Sequence, residues 1–413
     1  MRLIVDKTRT RSFDSLFRLL LIMLMALPVY AYSAEEIPVF FVSDRKPEKS
    51  TKEESAQDQL IAGQHLKFGV ANVSFTDGDS SAPRKSKNFS VCEQQSISMN
   101  FGAAKAKPVN SSLFTDEFLG RFREFLNKSN SRSFILYIHG CCMSEKLSFC
   151  SAGELAESTQ LPVLIFDWAS PGVAEAPLAP EFNSYRRSER VLEISQHNIH
   201  DLFSAIATHL PDYKMIVVAH SMGNRLILNE LNRQSANNLQ IEQLHLVRPD
   251  LSLPAYLLDE EHYCSLAKQV YIYLANNDAW LKISQSFSAD VPRLGSPDKF
   301  LNIAIKHGMS LDSPSNRYFL DISPLKLSHD IPYELVDSVI ARGATEGSES
   351  FIFEAQKLTV PSEKFLLVKK AKSSKSLIEH ANACYVETKT TKFDEQTEKK
   401  GESDSNNRNS GRI

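Results

Sequence analysis

Neither sign of charge dominates this chain: 47 Lys and Arg face 50 Asp and Glu, a formal net charge of −3. Without a basic surplus, neither nucleic acid nor an anionic membrane surface is an expected partner. The six cysteines, Cys92, Cys141, Cys142, Cys150, Cys264 and Cys384, form neither a CxxC pair nor a Cys/His zinc pattern. No metal and no cofactor is therefore expected. The chain also carries no internal repeat, which removes repeat arrays from consideration. The apolar run Leu19–Leu27 is short of the roughly 20 residues that a membrane-crossing helix needs.

What that run does fit is a leader. Arg2, Lys7, Arg9, Arg11 and Arg18 precede it, Pro28 breaks it, and Ala31, Ser33 and Ala34 offer small residues for cleavage. Residues 1–34 read as a secretory signal peptide, with an uncleaved N-terminal anchor as the second reading. The protein is expected to be exported, periplasmic or secreted, where membrane contact would run through this segment. Export also permits disulfides, and a bond from Cys141 or Cys142 to Cys150 would close a small loop.

A main domain is expected over residues 35–345, with N-terminal strands and an insertion over 35–130. Short apolar runs recur at Phe134–Ile138, Leu161–Phe166, Met215–Ala219, Gln243–Val247, Gln269–Leu274 and Tyr318–Ile322. Between them lie amphipathic stretches, such as Ile199, Leu202, Phe203, Ile206 and Leu210 at helical spacing. This alternation predicts an α/β fold, a mostly parallel sheet with helices on both faces. Residues 346–392 form a C-terminal extension with strand-like runs at Phe351–Leu358 and Phe365–Val368. Residues 393–413 are polar and read as a disordered tail.

The sharpest local signal is Ala219-His220-Ser221-Met222-Gly223, between an apolar strand and an amphipathic helix. This is the context of a nucleophile elbow, in which flanking residues must be small so that strand and helix pass closely. Gly223 meets that need, and Ala219 is the smallest substitute for the missing glycine. Ser221 is the candidate nucleophile. Its other reading is a serine that merely caps the helix.

The candidate oxyanion donors are backbone N–H groups, those of Met222 and of Cys141 or Cys142, after the strand that ends in His139-Gly140. Cys141 as a nucleophile is disfavoured because no elbow surrounds it. For the acid, Asp278 is favoured over Asp250, because it follows the penultimate strand. His329 is favoured as base; the alternative His307 precedes the last strand, and His380 belongs to the extension. His197 and His200 lie one helical turn apart without a carboxylate motif, and read as a solvated helix face.

Several segments together resemble an uncharacterised bacterial branch of the α/β-hydrolases, esterase- and lipase-like. They are Val39–Arg45, Phe68–Ser74, Tyr137–Gly140, Phe166–Ser170, Ala219–Arg225, Arg248–Asp250, Asn277–Trp280, Arg293–Gly295 and the stretch from Asp321 to His329. The resemblance implies the α/β-hydrolase fold and a serine hydrolase with a Ser221, His329 and Asp278 triad. The expected substrate is a small-molecule or lipid carboxylic ester, cleaved through an acyl-enzyme. The competing expectation is a silent hydrolase-fold protein that binds or shapes the envelope, and a third is a membrane-tethered interaction protein.

Overall fold

The computed structural model describes residues 36–45, 65–76, 85–98, 117–172, 180–233, 241–306, 314–344, 351–355 and 364–371. The expected signal segment 1–34, the tail 393–413, His307 and His380 lie outside them. Among the described residues, eleven strands form one sheet: β1 Glu36–Ser43, β2 His65–Thr76, β3 Lys85–Ser98, β4 Ser133–Ile138, β5 Val163–Asp167, β6 Lys214–His220, β7 Ile241–Val247, β8 Ala267–Leu274, β9 Arg317–Asp321, β10 Phe351–Ala355 and β11 Phe365–Lys370. Their order is β10-β11-β9-β8-β7-β6-β4-β5-β1-β2-β3. From β1 through β5, β4, β6, β7, β8 and β9 to β11 every pairing is parallel. Antiparallel strands finish both edges, β2 and β3 at one and β10 at the other.

The central strands bury both faces, so their sequences are continuous apolar runs. In β4, Phe134, Leu136 and Ile138 point into one core, while Ile135 and Tyr137 point into the other. In β6, Met215, Val217 and Ala219 alternate with Ile216 and Val218 in the same way. Helices α1 Gly120–Lys128, α3 Pro180–His209, α4 Gly223–Leu231 and α5 Leu253–Leu266 cover the first face. Helices α2 Glu145–Thr159 and α8 Tyr333–Arg342 cover the second. Between β8 and β9 lie α6 Ala279–Phe287 and α7 Pro297–Lys306. The C-terminal strands add to the sheet itself: Phe365 of β11 is fully buried and stacks on Phe319 and Phe300.

From β4 the chain passes through α2 to β5 on one side. It then returns through α3 to β6 on the other side of β4. The crossovers therefore diverge between β4 and β6. In an open parallel sheet, a crevice forms at the carboxyl ends of strands where the order reverses in this way. Gly140 and Ser221 stand just beyond those two ends.

Candidate active site

Strand β6 ends at His220 and α4 begins at Gly223, which leaves two residues to reverse the chain. Ser221 takes up the turn with φ at +51°, a left-handed conformation that costs a non-glycine residue about 1–3 kcal/mol. The surroundings hold it there. Its N–H donates to Val247 O at 3.0 Å, and its own carbonyl accepts from Asn224 Nδ2 at 2.9 Å and Asp250 N at 3.2 Å. A Cβ at Gly223 would meet His139 O at 2.5 Å and Ile138 O at 2.8 Å. Glycine there is a requirement of close approach between α4 and the end of β4.

The serine hydroxyl lies 2.7 Å from His329 Nε2, and His329 Nδ1 lies 2.7 Å from Asp278 Oδ2. The three groups come from the ends of β6, β8 and β9, more than 50 residues apart in sequence for each hydrogen bond. Asp278 also caps α6, accepting from Leu281 N at 3.1 Å. Burial opposes its charge. The His329 ring, the Arg248 guanidinium and the Leu281 N–H outweigh that cost and hold the carboxyl well below the usual range.

Two residues that the sequence did not mark as functional fix this relay. Arg248, fully buried at the end of β7, donates through Nη1 to Asp278 Oδ2 at 3.1 Å. It also donates through Nε to Asp330 O at 3.0 Å and through Nη2 to Leu327 O at 3.3 Å. One side chain thus ties the histidine loop to Asp278. His220 donates through Nε2 to His329 O at 2.7 Å. Burial, and then the neighbouring His329, keep its pKa well below that of a free imidazole, so it stays neutral and presents this donor. The signal for Arg248 was its place at a strand's carboxyl end in Arg248-Pro249-Asp250. For His220 it was adjacency to the elbow serine.

The loop after β4 presses on the same serine. A Cβ at Gly140 would sit 2.9 Å from Ser221 Cβ. Next in the chain, Cys142 N–H is committed to Ser170 Oγ at 2.6 Å. The N–H groups of Cys141 and Met222 make no hydrogen bond to another described residue, and the latter stands at the N-terminus of α4. Arg45 anchors this loop, donating to Met143 O at 2.9 Å, Ser170 O at 2.5 Å and Asp167 at 2.9 Å. His139 stacks on Trp168 and donates through Nδ1 to Gly140 O at 2.7 Å, a supporting position.

Asp250, the alternative acid, makes no hydrogen bond to His329. It lies buried among Arg225 at 3.0 Å, Arg293 at 3.2 Å, Tyr185 at 2.8 Å and Ser284. Neither Cys141 nor Cys142 is bonded to Cys150, so the small loop that such a disulfide would close is not formed. Cys150 is buried in α2, and Cys141 instead faces Cys142, with sulfur atoms 2.8 Å apart. His200 Nδ1 lies 2.9 Å from Glu230 Oε1. Of the aromatic residues, Phe149 and Trp168 are core, whereas the half-buried Trp280 has its ring centre 6.4 Å from that of His329.

The model of a family described as alpha/beta hydrolase of unknown function (DUF900) matches residues 115–325, more than half of the 413-residue chain. That span contains Ser221 and Asp278 and stops four residues short of His329. No curated protein matches the chain. Among solved structures, it is similar to phospholipase PlaB from Legionella pneumophila, at 12% identity and a TM-score of 0.20. The match covers 58% of this chain and 50% of that one, so the chain spans about half the length of that protein.

Proposed function

The chain belongs to the α/β-hydrolase family DUF900, and from that premise we propose a serine hydrolase of carboxylic esters with Ser221 as nucleophile. His329 Nε2 accepts the serine proton as Oγ attacks the ester carbonyl. The N–H groups of Cys141 and Met222 receive the oxyanion of the tetrahedral intermediate. His329 then returns the proton to the departing alcohol, leaving an acyl-serine. Water, deprotonated by the same imidazole, hydrolyses it. Asp278 keeps His329 in the productive tautomer and offsets its charge. It remains ionised throughout because Arg248 and the Leu281 N–H stabilise the carboxylate.

One observation carries the proposal: the unbroken Ser221–His329–Asp278 relay, at 2.7 Å for each contact, on a serine with φ of +51°. The test is labelling of purified protein with a fluorophosphonate probe. Wild type is expected to label, and Ser221→Ala and His329→Ala to lose the label. Well-folded wild type that stays unlabelled would return the weight to a binding or envelope-structural protein. If labelling holds, p-nitrophenyl esters of graded chain length define the acyl pocket.

Residues 1–34 alone point to export. Among the described residues no helix is long and apolar enough to cross a membrane. We infer an exported enzyme whose leader is removed. An intact N-terminus in the mass spectrum of protein purified from its host would contradict this and favour the tether.

A further inference from the structure

The side chains of Cys141 and Cys142 have no role in the chemistry above, yet they occupy the loop that presents an oxyanion donor to Ser221. Their sulfur atoms are 2.8 Å apart, and Cys142 holds φ at +65°. Bond formation would require an approach of only about three quarters of an ångström, since a disulfide is ~2.05 Å long. Cys141 is half-buried, whereas Cys142 is buried, so the first is the thiol open to a small reagent.

We propose that Cys141 and Cys142 are a redox modification site, closing reversibly to a vicinal disulfide that turns down the oxyanion donor beside Ser221. The oxidant is a small disulfide such as that of glutathione, or a disulfide-exchanging protein. The Cys141 thiolate attacks one sulfur of the oxidant and expels a thiolate. Cys142 then attacks the Cys141 sulfur of the mixed disulfide and expels the second. Two cysteine thiols lose two electrons in total, the oxidant gains them, and the two protons pass to the departing thiolates. The neighbouring thiol and burial hold the Cys141 proton well above its usual range, so uncatalysed closure is slow at neutral pH.

Two physical features make the site a switch. Adjacent Cα atoms are ~3.8 Å apart, below the usual span of a disulfide, so the bond is strained and easily reduced. Bonds of that kind are the labile, regulatory ones. The closed ring also contains the Cys141–Cys142 peptide, whose N–H is anchored to Ser170 Oγ at 2.6 Å. Drawing the sulfurs together turns that peptide. Either the anchor yields or Cys141 shifts and carries its own N–H off the oxyanion.

The inference rests on the serine-hydrolase reading, and the experiment separates the two. Full-length protein is equilibrated with reduced or oxidised glutathione. It is then mapped by alkylation and mass spectrometry, and its rate of fluorophosphonate labelling is measured. Support would be loss of two hydrogen masses confined to the peptide holding Cys141 and Cys142. It would come with labelling slowed about tenfold or more, restored by dithiothreitol. Cys142→Ser should label at equal rates in both buffers, and Cys141→Ala gives the same comparison if the first variant folds poorly. Two thiols that still alkylate after oxidation would overturn the proposal, as would a closed disulfide with an unchanged labelling rate. Failure of the Ser221 reading appears separately, as absent labelling of the fully reduced wild type, and removes the switch with it.

Discussion

A methyl group added at Gly140 would lie 2.9 Å from Ser221 Cβ and 3.0 Å from His220 Nδ1. Both neighbours are held, the serine by its strained turn and the histidine ring by its bond to His329 O, so neither yields cheaply. The loop must move instead, and with it the Cys141 N–H. Gly140→Ala is therefore expected to cut fluorophosphonate labelling about a hundredfold or more, the scale on which a lost oxyanion donor acts. Circular dichroism should show a folded protein. An alanine variant that labels at the wild-type rate would place the oxyanion elsewhere. At this scale the sequence was informative where chemistry is local. The elbow residues Ala219, Ser221 and Gly223 occupy a single turn, and their small-residue spacing is itself the constraint. It was uninformative about Arg45, whose partners Asp167 and Ser170 lie more than 120 residues away.

Among the elements, the one with least regular structure carries the proposed base. His329 sits in the connection from β9 to α8, beyond a short 3-10 turn at Ser323–Leu325. That loop is tied down by Arg248, which bonds two of its carbonyls and Asp278 at once, and by His220. Arg248→Lys keeps the charge but loses the fork that reaches three acceptors. It is expected to slow labelling at least about tenfold, with a modest fall in melting temperature. Arg248→Met strands the buried Asp278 charge, and a broken buried pair costs about 3–5 kcal/mol. Urea denaturation should register that loss. Equal stability of the two variants would mean that Arg248 does not neutralise Asp278. Helix and strand placement was readable from periodicity because both sheet faces are apolar. The clamp was not, since an arginine at a strand end reads the same whether it meets solvent or three carbonyls.

Across the whole molecule, strand order was the feature least accessible to sequence. Short apolar runs identify β4 to β9, but nothing local says that β4 lies between β5 and β6, or that β11 joins β9. The complete core has a consequence for acid stability. His245 in β7 is fully buried, 2.9 Å from both Tyr273 Oη and Gln243 Oε1, and burial pushes its pKa down to about 3. His220 is shifted in the same direction. A histidine whose folded pKa is depressed takes up its proton first in the unfolded chain, near pH 6.5. The unfolded state then binds more protons, so stability falls as pH drops below that value. Each such histidine costs up to about 1.4 kcal/mol per pH unit until the folded group titrates as well. The depressed carboxyls of Asp278 and Asp167 act with the same sign, but only as pH approaches ~3.9. Buried Asp44, whose carboxyl is raised by burial, acts with the opposite sign. Comparing wild type with His245→Gln cancels every term the two share. Urea denaturation at pH 7, 6 and 5 should therefore give a shallower acid limb for the variant. The difference should approach 1.4 kcal/mol per unit below about pH 6. Parallel limbs would mean that His245 accepts its proton in the folded protein, which its buried, doubly bonded position opposes.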